Sequence, residues 1–113
     1  MDVAPGTTLC SIDAIPDGKA LSFAFGEDRE RVGIVVVRRG DMVRAYVNRC
    51  PHFQIPLDVG RGIHTFRDHV LCANHYAVFR FEDGYCVDGP CLGASLEMVP
   101  IQVSENQIMI AAK

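Results

Sequence analysis

The sequence predicts an all-β protein, an antiparallel β-sandwich base carrying a smaller, loop-rich subdomain. Three observations lead there. Short apolar alternations recur with turn residues between them, the period of half-buried strands. Nowhere do apolar residues repeat at helical spacing over ten or more positions. From Asn48 to Gly93 the strand pattern gives way to irregular sequence that holds four of the five cysteines and all four histidines.

Taken in order, Thr8 to Ala14 alternates as a strand, and Pro16-Asp17-Gly18-Lys19 turns the chain. Ala20 to Phe25 is the next strand. Arg31 to Arg38 is β-branched enough to be a central strand. Arg39-Gly40-Asp41 then turns it into Met42 to Val47, a hairpin. Pro51, Pro56, Gly60 and Gly62 mark irregular backbone, and His64 is placed in the same loop. Short strands resume at Asp68 to Cys72 and Ala77 to Glu82, with Asp83-Gly84 turning into Tyr85-Cys86-Val87. Leu96 to Val103 and Gln107 to Ala111 flank Ser104-Glu105-Asn106 as a closing hairpin. There is no repeat, linker or low-complexity run. A single domain over residues 1–113 is expected, with a loop-rich insertion at about residues 48–93.

The bulk chemistry narrows the function. The 113 residues are 49% hydrophobic and 22% charged, with a net charge of −3, which excludes the dense basic surface that nucleic-acid binding requires. Arg38-Arg39 and Arg29/Arg31 are short local pairs, read as solvated sheet edges. Met1 to Gly6 lacks the basic start and apolar run of a signal peptide, and no stretch approaches a membrane span. A cytoplasmic protein is expected, with no membrane association. In that reducing setting five cysteines point to metal or redox chemistry more than to a disulfide framework.

Cys50-Pro51-His52 and Cys72-Ala73-Asn74-His75 form the pattern C-x-H, nineteen residues, C-x-x-H. Each half offers one soft thiolate and one borderline imidazole. A zinc finger of the Cys₂His₂ kind instead pairs its cysteines in one half and its histidines, on a helix, in the other. Mixed halves without a helix suit a cluster in which two histidines replace two cysteines on one of two irons. Zinc in an interaction module is the alternative. Cys10 reads as core, His64 and His69 as surface or structural residues, and Cys86 and Cys91 as small buried side chains beneath a loop.

This ligand pattern resembles the Rieske [2Fe–2S] family, and the likeness extends past the ligands. Pro51, Pro56-Leu57, Phe79, Gly84-Tyr85-Cys86 and Gly89-Pro90-Cys91 are similar to the family's flanking positions. The spacer between the halves is slightly longer than usual in the family. The resemblance implies the Rieske fold and one Rieske-type [2Fe–2S] cluster. Cys50 and Cys72 would hold the inner iron, and His52 and His75 the outer iron. Gly89-Pro90 matches the proline loop that covers the cluster. High-potential members add a disulfide between the ligand loops, but the corresponding positions here are Ile55 and Asn74. Their Ser and Tyr hydrogen-bond donors correspond to Ala77 and Phe79. Both departures place the expected potential at the low end of the Rieske range, about −150 mV.

A cluster of this kind moves single electrons. Substrate oxidation in Rieske oxygenases needs a further domain with a 2-His-1-carboxylate iron, for which 113 residues leave no room. No Gly-rich dinucleotide fingerprint is present either. The resemblance therefore implies a low-potential Rieske-type ferredoxin and not an enzyme: a monomeric electron-transfer component between a flavin-dependent reductase and a terminal oxygenase. A Rieske-like small subunit of a nitrite reductase or similar complex is the second reading.

Overall fold

The computed structural model describes residues 5–25, 32–51, 56–58, 63–72 and 77–112. Eleven strands run through these residues: β1 (Thr8–Ser11), β2 (Ala20–Phe25), β3 (Val32–Arg39), β4 (Met42–Val47), β5 (His64–Phe66), β6 (His69–Leu71), β7 (Val78–Arg80), β8 (Cys86–Asp88), β9 (Met98–Val99), β10 (Ile101–Ser104) and β11 (Gln107–Ile110). They form three antiparallel sheets, ordered β1-β11-β10, β2-β3-β4-β9 and β5-β6-β7-β8.

The middle sheet is the organising layer because β3 is apolar on both faces. Its run Ile34-Val35-Val36-Val37 is wholly buried, as a strand covered on both sides requires. Successive side chains point to opposite faces. Ile34 and Val36 pack with Leu9, Ile15, Val43, Ala45, Ile108 and Ile110 toward the first sheet. Val35 and Val37 pack with Tyr46, Val70, Phe79 and Phe81 toward the third. The first two sheets are thus the sandwich base, and the third sheet is the cysteine-bearing subdomain docked on the base's other face.

Several elements depart from the sequence reading. The first strand stops at Ser11, and Ile12–Ala14 is a 3₁₀ turn. Arg38 explains the break: its guanidinium donates to Ile12 O at 3.2 Å and Ile15 O at 2.9 Å, drawing those carbonyls out of strand pairing. Arg38 is therefore a staple on an interior strand and not a solvated edge. The expected strand from Leu96 to Val103 is two strands split at Pro100, which has no N–H to donate. Met98–Val99 pairs with β4 in the middle sheet, and Ile101–Ser104 pairs with β11 in the first.

His64, expected in a loop, opens β5 instead. Arg67 and Asp68 both adopt positive φ, 49° and 62°, making the two-residue turn that folds β5 onto β6. Neither residue is the Asn or Gly that announces such a turn, so Asp68 was the only local signal for the hairpin, and a weak one. The strand expected from Ala77 to Glu82 ends at Arg80, where Gly84 N–H reaches back to Arg80 O at 2.9 Å. Arg29 and Arg31 lie outside the described residues.

Candidate metal centre

Each cysteine of the two half-motifs follows a strand and enters a loop tied off at its neck. After β4, Asn48 donates its backbone N–H to Gly33 O at 2.8 Å. Its side-chain amide donates to Asp58 Oδ1 at 3.0 Å, and its Oδ1 accepts from Leu57 N–H at 2.8 Å. Residues 48 and 57–58 are thereby clamped, and Cys50 lies inside the closed segment. After β6, Cys72 N–H donates to Ala77 O at 2.9 Å, pinching off the second segment. Asn48 is a site-forming residue that pattern reading missed; its position between a strand end and the first cysteine was the available signal.

Cys50 and Cys72 are both wholly buried, in one apolar cluster with Val35, Leu57, Val70, Ala77, Phe79 and Cys91. No buried side chain among the described residues is charged. Two buried thiols, each beside one of these hydrogen bonds, have the soft-donor chemistry that an iron–sulfur group requires, and so fit that group. His52 and His75, with Ile55 and Asn74, lie outside the described residues. Among the described residues no three His, Cys, Asp or Glu side chains converge as a metal site, as follows when half of the expected set falls elsewhere.

The segment after β8 meets the first half-motif at Cys50. Gly89 has φ +94°, a conformation that favours glycine. Leu92 N–H donates to Gly89 O at 3.2 Å and Ala94 N–H to Cys91 O at 2.9 Å, forming consecutive tight turns. They aim Cys91 inward, placing its Sγ 3.1 Å from Cys50 Sγ, and turn Leu92 outward, 66% exposed. Cys86 does not face Cys91: its thiol donates to Asp88 O at 3.1 Å.

The remaining candidates have structural surroundings. Cys10 is half-buried against the other apolar cluster, and burial pushes its thiol pKa up. His64 is exposed on β5, and His69 Nδ1 bonds Arg67 O at 2.7 Å, so that nitrogen donates. Ala77 and Phe79 are both wholly buried among the cysteines and carry no hydroxyl to donate.

Comparison with known proteins agrees with this geometry. The family model for the Rieske [2Fe-2S] domain matches residues 7–110. No functionally curated protein matches the chain. Among solved structures, the ferredoxin of carbazole 1,9a-dioxygenase from Nocardioides aromaticivorans IC177 is similar at 28% identity, with a TM-score of 0.68 over 95% of this chain and 99% of that one. A chain in a complex of reduced oxygenase and oxidized ferredoxin of carbazole 1,9a-dioxygenase gives 0.72 at 20% identity, over 92% of this chain and 90% of that one. A carbazole-bound oxygenase–ferredoxin complex gives 0.73 at 19% identity, over 92% of this chain but only 27% of the matched one. The last two likenesses show the shared fold.

Proposed function

The chain belongs to the Rieske [2Fe–2S] family, and from that premise we propose that it is a ferredoxin passing single electrons from a flavin-dependent reductase to a terminal oxygenase. The family's cofactor is one Rieske-type [2Fe–2S] cluster. The observation that carries the ferredoxin reading is the match to a ferredoxin over 95% of this chain and 99% of that one. The match spans nearly all of that ferredoxin but only about a quarter of a chain in an oxygenase complex.

In this reading Cys50 and Cys72 hold the inner iron and His52 and His75 the outer iron. When bound, the cluster supplies a one-electron couple. The chain's own residues do the rest. The Asn48–Asp58 clamp and the Cys72–Ala77 bond fix the entries to the two ligand loops. Val35, Leu57, Val70, Ala77 and Phe79 keep water from the cysteine side. With that side sealed, the histidine side is the route for electrons to a partner. Because a one-electron carrier has no substrate to activate, the protein works as an electron-transfer component, in the cytoplasm and as a monomer.

The test combines spectra with variants. Freshly purified protein is expected to be red-brown, to bleach with dithionite and to give the rhombic EPR signal of a His-ligated [2Fe–2S] cluster, eluting as a monomer. His75→Ala and His52→Ala are each expected to abolish or degrade that signal. An unchanged signal in either variant overturns the ligand assignment. A colourless protein with stoichiometric zinc overturns the electron-carrier reading.

A further inference from the structure

Cys91 has no assigned part in the ligand set, yet its sulfur stands 3.1 Å from Cys50 Sγ, within hydrogen-bond contact. Cys50 is wholly buried and Cys91 is 3% exposed, so water does not compete for the contact. The two sulfurs come from independently anchored segments. Cys50 lies inside the Asn48–Asp58 clamp. Cys91 is fixed by Ala94 N–H to Cys91 O, with Leu92 N–H to Gly89 O and Gly93 N–H to Cys86 O closing the turns around it. The approach is therefore set by backbone on both sides, not by a mobile side chain finding a partner.

We propose that Cys91 is a redox-tuning residue whose S–H donates a hydrogen bond to the Cys50 sulfur and raises the cluster's midpoint potential. The inference rests on Cys50 being an iron ligand. An iron-bound cysteine is a thiolate and only accepts, so of the two sulfurs Cys91 is the one that brings the proton. A donor to a ligand sulfur withdraws negative charge from it. The reduced cluster carries one more negative charge than the oxidised one, so the hydrogen bond stabilises the reduced form more. Burial in an apolar chamber strengthens that difference. The positions that carry Ser and Tyr donors in the high-potential class are Ala77 and Phe79 here. The Cys91 thiol, reaching the site from the proline loop, supplies donation from a different direction.

The experiment is voltammetry of cluster-loaded Cys91→Ala and Cys91→Ser, with Cys50→Ser as the control on the underlying assignment. Cys91→Ala is expected to keep the Rieske EPR signal and lower the reduction equilibrium constant about tenfold, about 59 mV for a one-electron couple. Cys91→Ser keeps a donor and is expected to recover most of that loss. An Ala variant with the wild-type potential, or a Ser variant as low as the Ala variant, overturns the proposal. If the Ala variant does not load, resonance Raman of the wild type decides. An iron–sulfur mode that shifts in D₂O, and shifts differently in Cys91→Ser, supports the proposal; no D₂O shift overturns it. The control separates the two ideas: Cys50→Ser is expected to lose the cluster. A full signal in Cys50→Ser, with loss in Cys91→Ala, overturns the ligand assignment and makes Cys91 the ligand.

Discussion

Two side chains that do nothing polar carry much of the expected redox behaviour. Ala77 and Phe79 are wholly buried in the cluster of apolar side chains that contains both cysteines. A negative charge added in such surroundings meets neither water nor a hydroxyl, so reduction is disfavoured. Supplying the hydroxyls should reverse this. Ala77→Ser with Phe79→Tyr is expected to raise the midpoint potential, by about 59 mV for each tenfold gain in the reduction equilibrium, as read by voltammetry. No rise would mean that neither hydroxyl reaches the cluster or its ligands from these positions. Both changes add an oxygen to a packed core, so a small loss of thermal stability should accompany the shift.

Among the elements, the turn from β7 to β8 has the least freedom to vary. Gly84 has φ +74°, and a Cβ there would stand 2.8 Å from Tyr46 Cε1 and 3.2 Å from Leu96 Cβ. The turn is also held by Gly84 N–H to Arg80 O and by Leu96 N–H to Gly84 O, both at 2.9 Å. Its close approach lets the third sheet settle on the aromatic face of Tyr46. Gly84→Ala combines an unfavourable backbone conformation with overpacking, and is expected to cost about 2–4 kcal/mol. A denaturant midpoint equal to wild type would show that the turn relaxes instead. The outer face of this turn is less critical. Arg80 pairs with Asp83 and lies over the Tyr85 ring, and both charged groups are exposed, a setting in which ion pairs contribute little.

At the scale of the whole molecule, Tyr46 joins the base to the subdomain that carries the cysteines. It belongs to β4 in the middle sheet, and its hydroxyl donates to Phe81 O, beyond β7 in the third sheet, at 2.5 Å. Arg39 adds a surface pair to Asp68 at 2.6 Å between the same two layers. Tyr46→Phe leaves a buried carbonyl without that donor and is expected to cost about 1–3 kcal/mol. Burial also pushes the Tyr46 phenol pKa up from its ordinary value. A raised folded-state pKa means full stability below the unfolded value of about 10, lost as pH rises toward the folded one. The wild type should therefore lose stability above about pH 10 in alkaline denaturation, and Tyr46→Phe should remove that residue's share of the slope. An identical slope in the two proteins would mean that Tyr46 does not control it.

The all-β class, the central strand and the family were legible because each rests on local information. Alternation reports which face is buried, β-branched runs report a doubly covered strand, and Cys and His at short spacing report chemistry that needs only a tight loop. What sequence could not disclose depends on residues far apart in the chain. Pro100 divides an apparently continuous strand between two sheets, and Arg38 ends β1 by reaching across to Ile12 and Ile15. The Arg67-Asp68 turn forms β5 without the glycine that usually marks a two-residue hairpin turn. Cys91, read locally as a small buried side chain, meets Cys50 forty-one positions earlier. Strand propensity and ligand spacing are properties of neighbours along the chain. The placing of one sulfur against another follows only when three sheets pack, since burial and backbone hydrogen bonding then decide where each cysteine stands.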